Sequence, residues 1–291
     1  MSATPAAAGT REAAAARPGR RPGVLAVYRW ELRKLRSQKR TYIGVGAAML
    51  LPILFTVVLS TQSGGPEDMP LAASLRISGV VVSLVVLAFA SHFAAQLLVS
   101  IVAADIVATE SSGGTLKLVL TRSVSRRTLL TGKLLTAWTY VVLVLAAMLG
   151  AGLVSGIIAW GFHPFVNIDL MPISAGRALF LTVAGFALFA IPLCAIAAFA
   201  VFLSTVTRNT AASLGGTMVF ELVQEAVGGL VNVPWLKRHL LSRQFDVWEA
   251  VFHSPTHWGV IVRALWVSAV FAAVPLGLAY WVFGRRDVTG E

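Results

Sequence analysis

The chain has little charge and almost no cysteine. Only 13% of its 291 residues are Asp, Glu, Lys or Arg, roughly half the share of a soluble domain, and the mean hydropathy is +0.77. An ordinary water-soluble domain is excluded; the bilayer is the solvent that suits this composition. One cysteine, Cys194, excludes a disulfide framework or a thiolate metal centre within one chain. Inside an apolar stretch it reads as a small buried residue. The histidines His92, His163, His239, His253 and His257 are scattered, and neither H-E-x-x-H nor G-x-S-x-G occurs, so hydrolytic and metal-centre classes have no constellation to rest on. His253 and His257 are four apart, but Pro255 between them disfavours a shared helical face. A G-x-x-x-x-G-K-[ST] phosphate cradle is also missing. Gly132-Lys133 runs into Leu134, and Ser111-Ser112-Gly113-Gly114-Thr115 has no nucleotide-binding fold around it, so the lysine lacks the glycine loop and hydroxyl that would hold a nucleotide and its magnesium. No catalytic residue, metal or cofactor is expected in this chain.

What the chain has is long apolar runs. A helix needs about 20 such residues to cross the hydrocarbon core, and six stretches qualify: Tyr42–Leu59, Ile77–Ala103, Leu134–Trp160, Ala178–Leu203, Ala211–Val231 and Trp258–Phe283. The expected fold is an all-α membrane protein with six transmembrane helices. The net charge of +11 raises the question of nucleic acid, but its distribution answers it. Of 24 Lys and Arg, 18 fall in Met1–Thr41, Ala104–Lys133, Arg208 and Arg285–Arg286. By the positive-inside rule these regions face the cytoplasm. Both ends then lie inside, in a multi-pass protein of the cell's inner (cytoplasmic) membrane, with membrane lipid rather than nucleic acid as partner.

Residues 1–23 are Ala, Pro, Gly and Arg without a continuous apolar core, which reads as a disordered cytoplasmic tail rather than a cleaved signal. Residues 24–284 form the transmembrane domain and 285–291 a short cytoplasmic tail. In Val24–Arg40, Leu25, Tyr28, Leu32 and Leu35 recur at helical spacing while Arg29, Arg33, Lys34, Arg36 and Arg40 take other faces. This predicts an amphipathic helix along the inner membrane surface with Trp30 at headgroup depth. At the other side, Asn232–His257 mixes Trp235, Leu240, Phe245, Trp248 and Phe252 with Lys237, Arg238, Arg243, Asp246 and Glu249. It reads as an outer amphipathic segment dipping into the leaflet before the last span, with a ligand lid as the alternative.

Polar groups at membrane depth are candidates for a substrate path. Glu221 and Glu225 lie one turn apart with Gln224 beside Glu225, and intramembrane carboxylates are costly enough to suggest function. They line the path, carry protons or meet a cationic substrate; otherwise Glu225 sits near the outer surface and Glu221 pairs with another helix or is protonated. His92 and Gln96 share a face of the second span and either border that path or bond between helices. Asp105 marks the inner end of the same span and is placed to pair with the basic helix. Gly152 and Gly156, with Ala147, Ala151 and Ser155, form small-residue surfaces for close helix approach, in this chain or another. Pro52, Pro192 and Pro275 are kink points.

The most informative stretch is Asp105–Lys133, DIVATESSGGTLKLVLTRSVSRRTLLTGK. It resembles the type-2 ATP-binding-cassette (ABC) exporter permeases, whose pattern here is close to E…GTL…L…(P)VSR…LL.GK. The matching residues are Glu110, Gly114, Thr115, Leu116, Val124, Ser125, Arg126, Leu129, Leu130, Gly132 and Lys133; Ser123 stands where many members carry proline. The resemblance implies a permease homodimer or heterodimer that exports small amphipathic or hydrophobic compounds and binds two cytoplasmic ABC ATPase subunits. ATP and Mg would sit in those partners. The loop between spans two and three would dock on them through Glu110, Gly114, Thr115, Leu116, Arg126 and Arg127. The bland alternative is a solvated loop obeying the positive-inside rule. A proton-coupled secondary transporter using Glu221 and Glu225 is the competing function.

Overall fold

The computed structural model describes residues 22–61, 77–112 and 124–285. The expected tails, apart from Pro22, Gly23 and Arg285, lie outside the described residues. Within them the regular structure is helical except for one small hairpin, as an apolar solvent requires of a backbone that must satisfy its own polar groups. Helix α1 spans Val24–Ser37 and α2 Lys39–Thr61. The corner between them is closed by the Leu35 carbonyl, which accepts from Gln38 N at 3.2 Å and from the Thr41 hydroxyl at 2.8 Å.

The α1 stripe turned inward is Val27, Glu31 and Leu35, spaced i, i+4, i+8. This corrects the predicted apolar face: Leu25 points out, while Tyr28 is half-buried and its hydroxyl meets that of Thr139 at 2.7 Å. Trp30, Arg33 and Arg36 are exposed, as an interfacial helix would place them. The helix nevertheless packs along its length on α5 (Arg126–Trp160).

The second predicted span, Ile77–Ala103, is not one helix. It divides into α3 (Val80–His92) and α4 (Ala94–Ser112), bent by 64° at a break around Phe93. The new helix starts with the Phe93 carbonyl accepting from Leu97 N. No proline or glycine stands at the break, which is why the composition did not mark it. From Val80 to Leu87 every residue of α3 is buried, matching a helix apolar on all sides.

Helix α5 carries Gly152 and Gly156 against the start of α3. A Cβ at Gly156 would strike the Gly79 backbone, and one at Gly152 would come within 2.6 Å of Ser83 Oγ. The small-residue surface therefore serves packing within this chain. Ser155, next to it, bonds the Thr56 hydroxyl of α2 at 2.9 Å. Beyond Gly161, whose φ of 73° ends α5, β1 (Phe165–Val166) and β2 (Pro172–Ile173) pair antiparallel, Phe165 opposite Ile173.

Helix α6 (Ala175–Thr207) begins at the Ser174 cap and lies at the centre. Of its apolar stretch 56% is buried inside the protein, against 28%, 33% and 28% for α2, α5 and α9 (Trp258–Arg285). Those three therefore keep open apolar faces for lipid or for another chain. Helix α7 (Thr210–Leu230) follows a turn in which Arg208 is left-handed and Asn209 caps Ala212 N at 3.0 Å.

The 232–257 segment contains α8 (Pro234–His239) and a 3-10 helix at Ser242–Val251. It does not dip its apolar face into a leaflet. Phe245, Trp248 and Phe252 are buried to within 2% and pack against α6, with Phe245 and Phe189 rings 5.1 Å apart. Gly185 of α6 makes room, since a Cβ there would already touch Trp248 at 3.4 Å. Trp235 alone of the large rings in this segment points outward.

Among the described residues, four helices, α2, α5, α6 and α9, are long and apolar enough to cross a membrane, and five if the bent α3–α4 pair is one span. The architecture is that of an all-α, multi-pass membrane protein. Helix α7, the fifth predicted span, has the length but falls outside that set.

Candidate functional site

Two constellations stand out, one at the α1 end of the bundle and one at the middle. At the α1 end, Lys133 of α5 is 1% exposed. Its ammonium lies 2.8 Å from Glu31 of α1 and 2.8 Å from Glu110 of α4, and it donates to the Ile106 carbonyl at 2.9 Å. The other Glu110 oxygen takes Lys34 of α1. A buried ammonium is tolerable only with such partners, because desolvating an ion costs several kcal/mol unless close opposite charge and hydrogen bonds offset it. Two carboxylates and two ammonium groups thus tie three helices together. Next to them Asp105 of α4 pairs with Arg40 of α2 and accepts from the Thr210 hydroxyl of α7 at 2.9 Å. The charge pair expected for Asp105 forms with Arg40, the last residue of the predicted basic segment, which the structure places on α2 and not on α1.

The motif residues build this junction one by one. Ser125 caps α5 by accepting from Thr128 N at 3.1 Å. Arg126 reaches the last turn of α9 and donates to the Phe283 and Gly284 carbonyls at 3.3 and 3.1 Å, the end at which a helix attracts cations. Leu129 packs on Val27 and Leu130 joins the main core. Gly132 is the crossing point of α1 and α5: a Cβ there would meet Val27 Cγ1 at 2.7 Å and Tyr28 N at 3.3 Å. That close approach lets Lys133 reach Glu31.

The second constellation is a small cavity of about 20 Å3 lined by Gln96, Glu221, Gln224 and Glu225, together with Phe220 and Phe245. Gln224 is buried; its Oε1 accepts from Leu241 N at 3.3 Å, and its carbonyl accepts from the Ser242 hydroxyl at 3.4 Å, fastening α7 to the 232–257 segment. Glu225 is exposed. Glu221 differs from both: neither of its carboxylate oxygens is accessible, and neither has a hydrogen-bond partner among the described residues. Such a carboxyl has three physical outlets: a proton, a bound cation, or a partner supplied from outside this chain.

The sequence model of a family described as a protein of unknown function, DUF2705, matches residues 49–289. The chain belongs to the DUF2705 family. No curated protein matches it significantly. The match takes in Glu110, Lys133 and Glu221 but starts within α2, so Glu31 and Lys34 of α1 lie ahead of it.

In this DUF2705 member the predicted residues separate into groups. Gly114, Thr115 and Leu116 lie outside the described residues. Glu110 turns its carboxylate inward to two lysines, Arg126 grips α9, and Arg127 is exposed. Of the path candidates, Gln96, Glu221, Gln224 and Glu225 converge on one cavity. His92 ends α3 on the same broken span as Gln96, and its side chain is outside the described part. Glu31 was missed: the sequence reading sorted α1 by its basic residues and passed over the one acid between Val27 and Leu35. A carboxylate four residues from each of two buried apolar positions is the signal that would have found it. His253 and His257 do come together, through a turn and not a helix, with rings stacked 4.1 Å apart.

Proposed function

We propose that this chain is the membrane-spanning permease subunit of an ATP-driven ABC exporter, a six-span dimer whose hydrolysis takes place in two cytoplasmic ATPase subunits. The α1 end is then cytoplasmic, with both termini inside. The observation that carries the reading is Lys133 held between Glu31 and Glu110. It locks together the two helices that flank residues 113–123 and ties both to α1. A push on that connecting segment by a moving partner would be passed to α1, α4 and α5 as one unit, because paired buried charges resist separation. Arg127 is exposed beside the segment for direct contact with the partner. Glu110, with its carboxylate engaged inside the protein, acts as a transmitter. α7, as the fifth span, brings the number of spans to six, and the cavity at Glu221 lies along the route of small amphipathic cargo.

The test is affinity purification of the full chain in mild detergent with identification of what comes with it. An ABC ATPase should co-purify and hydrolyse ATP, and Lys133→Ala should uncouple hydrolysis from transport. Purification without any ATPase, from cells that express the chain at native level, would sink the reading.

A second reading rests on its own observation. Glu221 has two enclosed oxygens without partners, which suits a carboxyl that takes up and releases protons in a secondary transporter, with exposed Glu225 as its outlet. Transport by reconstituted chain alone, driven by a pH gradient and abolished in Glu221→Gln, would select it.

A further inference from the structure

The basic-rich regions account for 18 of the 24 Lys and Arg and leave six. Four of those six, Lys237, Arg238, Arg243 and Arg263, line one open cavity of about 290 Å3 where α8, the 3-10 helix and the first turns of α9 meet. This is the end of the bundle opposite the α1 junction, where the positive-inside rule predicts few cations. Their concentration in one concavity is not explained by topology.

The cavity keeps an excess of positive charge. Asp246 and Glu249 also face it, but burial, and next the neighbouring Asp246, push the Glu249 carboxyl up to about 7, so it carries less than a full charge near neutral pH. One Arg243 nitrogen donates to the Gly228 carbonyl at 3.3 Å, which holds the guanidinium against α7. Arg263 is the telling member. Its Nε is enclosed and has no hydrogen-bond partner among the described residues, and an enclosed donor without an acceptor is costly. Low-dielectric walls around like charges focus the field on the space between them.

The surroundings place this cavity at headgroup depth. Trp235 and Trp258 are 69% and 70% exposed, and Trp266, on α9 below Arg263, is 48% exposed; exposed tryptophans of this kind gather at the membrane–water boundary. His239 lies between the rings of Trp235 and Trp266, at 4.9 and 5.2 Å.

We propose that this cavity binds a net-anionic phosphate group at headgroup depth, with Arg263 as the enclosed donor and Lys237, Arg238 and Arg243 as its rim. Guanidinium forks match phosphate oxygens, and clustered Lys and Arg at the membrane surface are a form that headgroup recognition takes. The phosphate belongs to an anionic lipid or to a soluble phosphate compound. The inference rests on the placement of the basic-rich end inside and holds whether or not an ATPase is the partner.

The experiment is native mass spectrometry of the full chain equilibrated with equal amounts of phosphatidylglycerol and phosphatidylcholine. Phosphatidylglycerol should be retained in preference. Arg263→Gln, and separately the triple change Lys237→Gln, Arg238→Gln, Arg243→Gln, should lower that retention at least tenfold, Arg263→Lys should keep part of it, and Arg177→Gln, an exposed base outside the cavity, should leave it unchanged. Displacement by millimolar inorganic phosphate assigns the site to soluble phosphate; retention in its presence assigns it to lipid. Equal retention of both lipids, a wild-type result for Arg263→Gln, or an equal loss in Arg177→Gln overturns the proposal. If Arg263→Gln lowers the unfolding temperature so far that no folded chain remains, the triple variant decides alone.

Discussion

At the junction of α1, α4 and α5, Glu31, Lys34, Glu110 and Lys133 each have an opposite charge within 2.8 Å. Glu221, at the middle of α7, has no partner for either oxygen among the described residues. The same cost of burying charge has been met in two ways. Where it is met by partners, the charges act as a mechanical fastening, and their removal should unfasten helices. Where it is left unmet, the group is held for something that arrives: a proton, a cargo or a second chain.

The largest effect should come from breaking the paired region. Lys133→Ala leaves Glu31 without its partner and Glu110 with one lysine instead of two, at a cost of about 3–5 kcal/mol. Thermal unfolding in mild detergent should show a large drop, and a wild-type midpoint would mean that the junction is not a fastening. Gly132→Val separates the geometry of the junction from its charge. It adds carbon where Val27 Cγ1 leaves only 2.7 Å, and forcing α1 off α5 should cost about 1–3 kcal/mol; the same assay reads it, with protease cleavage of α1 as a second measure.

Glu221→Gln probes the unpaired region and should have the opposite character. Removing an enclosed carboxylate that lacks partners should leave stability equal or raise it by up to about 1 kcal/mol, while cargo transport changes. A large loss of stability would show that Glu221 does have a structural partner, and the contrast with the junction would disappear.

The smallest effects are those of pH on the hairpin end, where two acids have opposite signs. Asp169 is held below the usual range by the Ser254 N–H and then by His253. Its contribution is present above the ordinary aspartate value of about 4 and is lost as pH falls through the lower folded value. Glu249 is raised, so its protonated form is the one favoured by folding. Stability is highest below the ordinary glutamate value of about 4.3 and declines as pH rises towards about 7. Unfolding midpoints should therefore fall as pH rises from about 4 towards 8 in the wild type and flatten in Glu249→Gln; Asp169→Asn should flatten only the acid limb below about pH 4.

Much of the fold was legible because apolar run length is itself the constraint in lipid. Tyr42–Leu59, Leu134–Trp160, Ala178–Leu203 and Trp258–Phe283 each fall inside an observed helix. Of the path candidates, Gln96, Glu221, Gln224 and Glu225 line one cavity, since polar residues in apolar helices seek one another; the side chain of His92 lies outside the described part. The break at Phe93 was not legible, because nothing in Ser91-His92-Phe93-Ala94 forbids a helix. The 232–257 segment was misplaced for a related reason: amphipathicity says that one face is apolar, but lipid and a neighbouring helix satisfy that face equally well.

The sequence by itself determined that this is a helical membrane protein, where most of its helices run, and that Glu110, Lys133 and Glu221 stand in or beside apolar runs. Tertiary structure alone decided what each of those side chains meets. Lys133 reads as the end of a glycine-lysine motif until α1 crosses at Gly132 and brings Glu31 to it. Glu110 reads as part of an exposed loop until the same crossing encloses it. A run of residues fixes its own transfer cost, but partners distant in sequence are chosen by how helices pack, and that choice separates a fastening from a site left open.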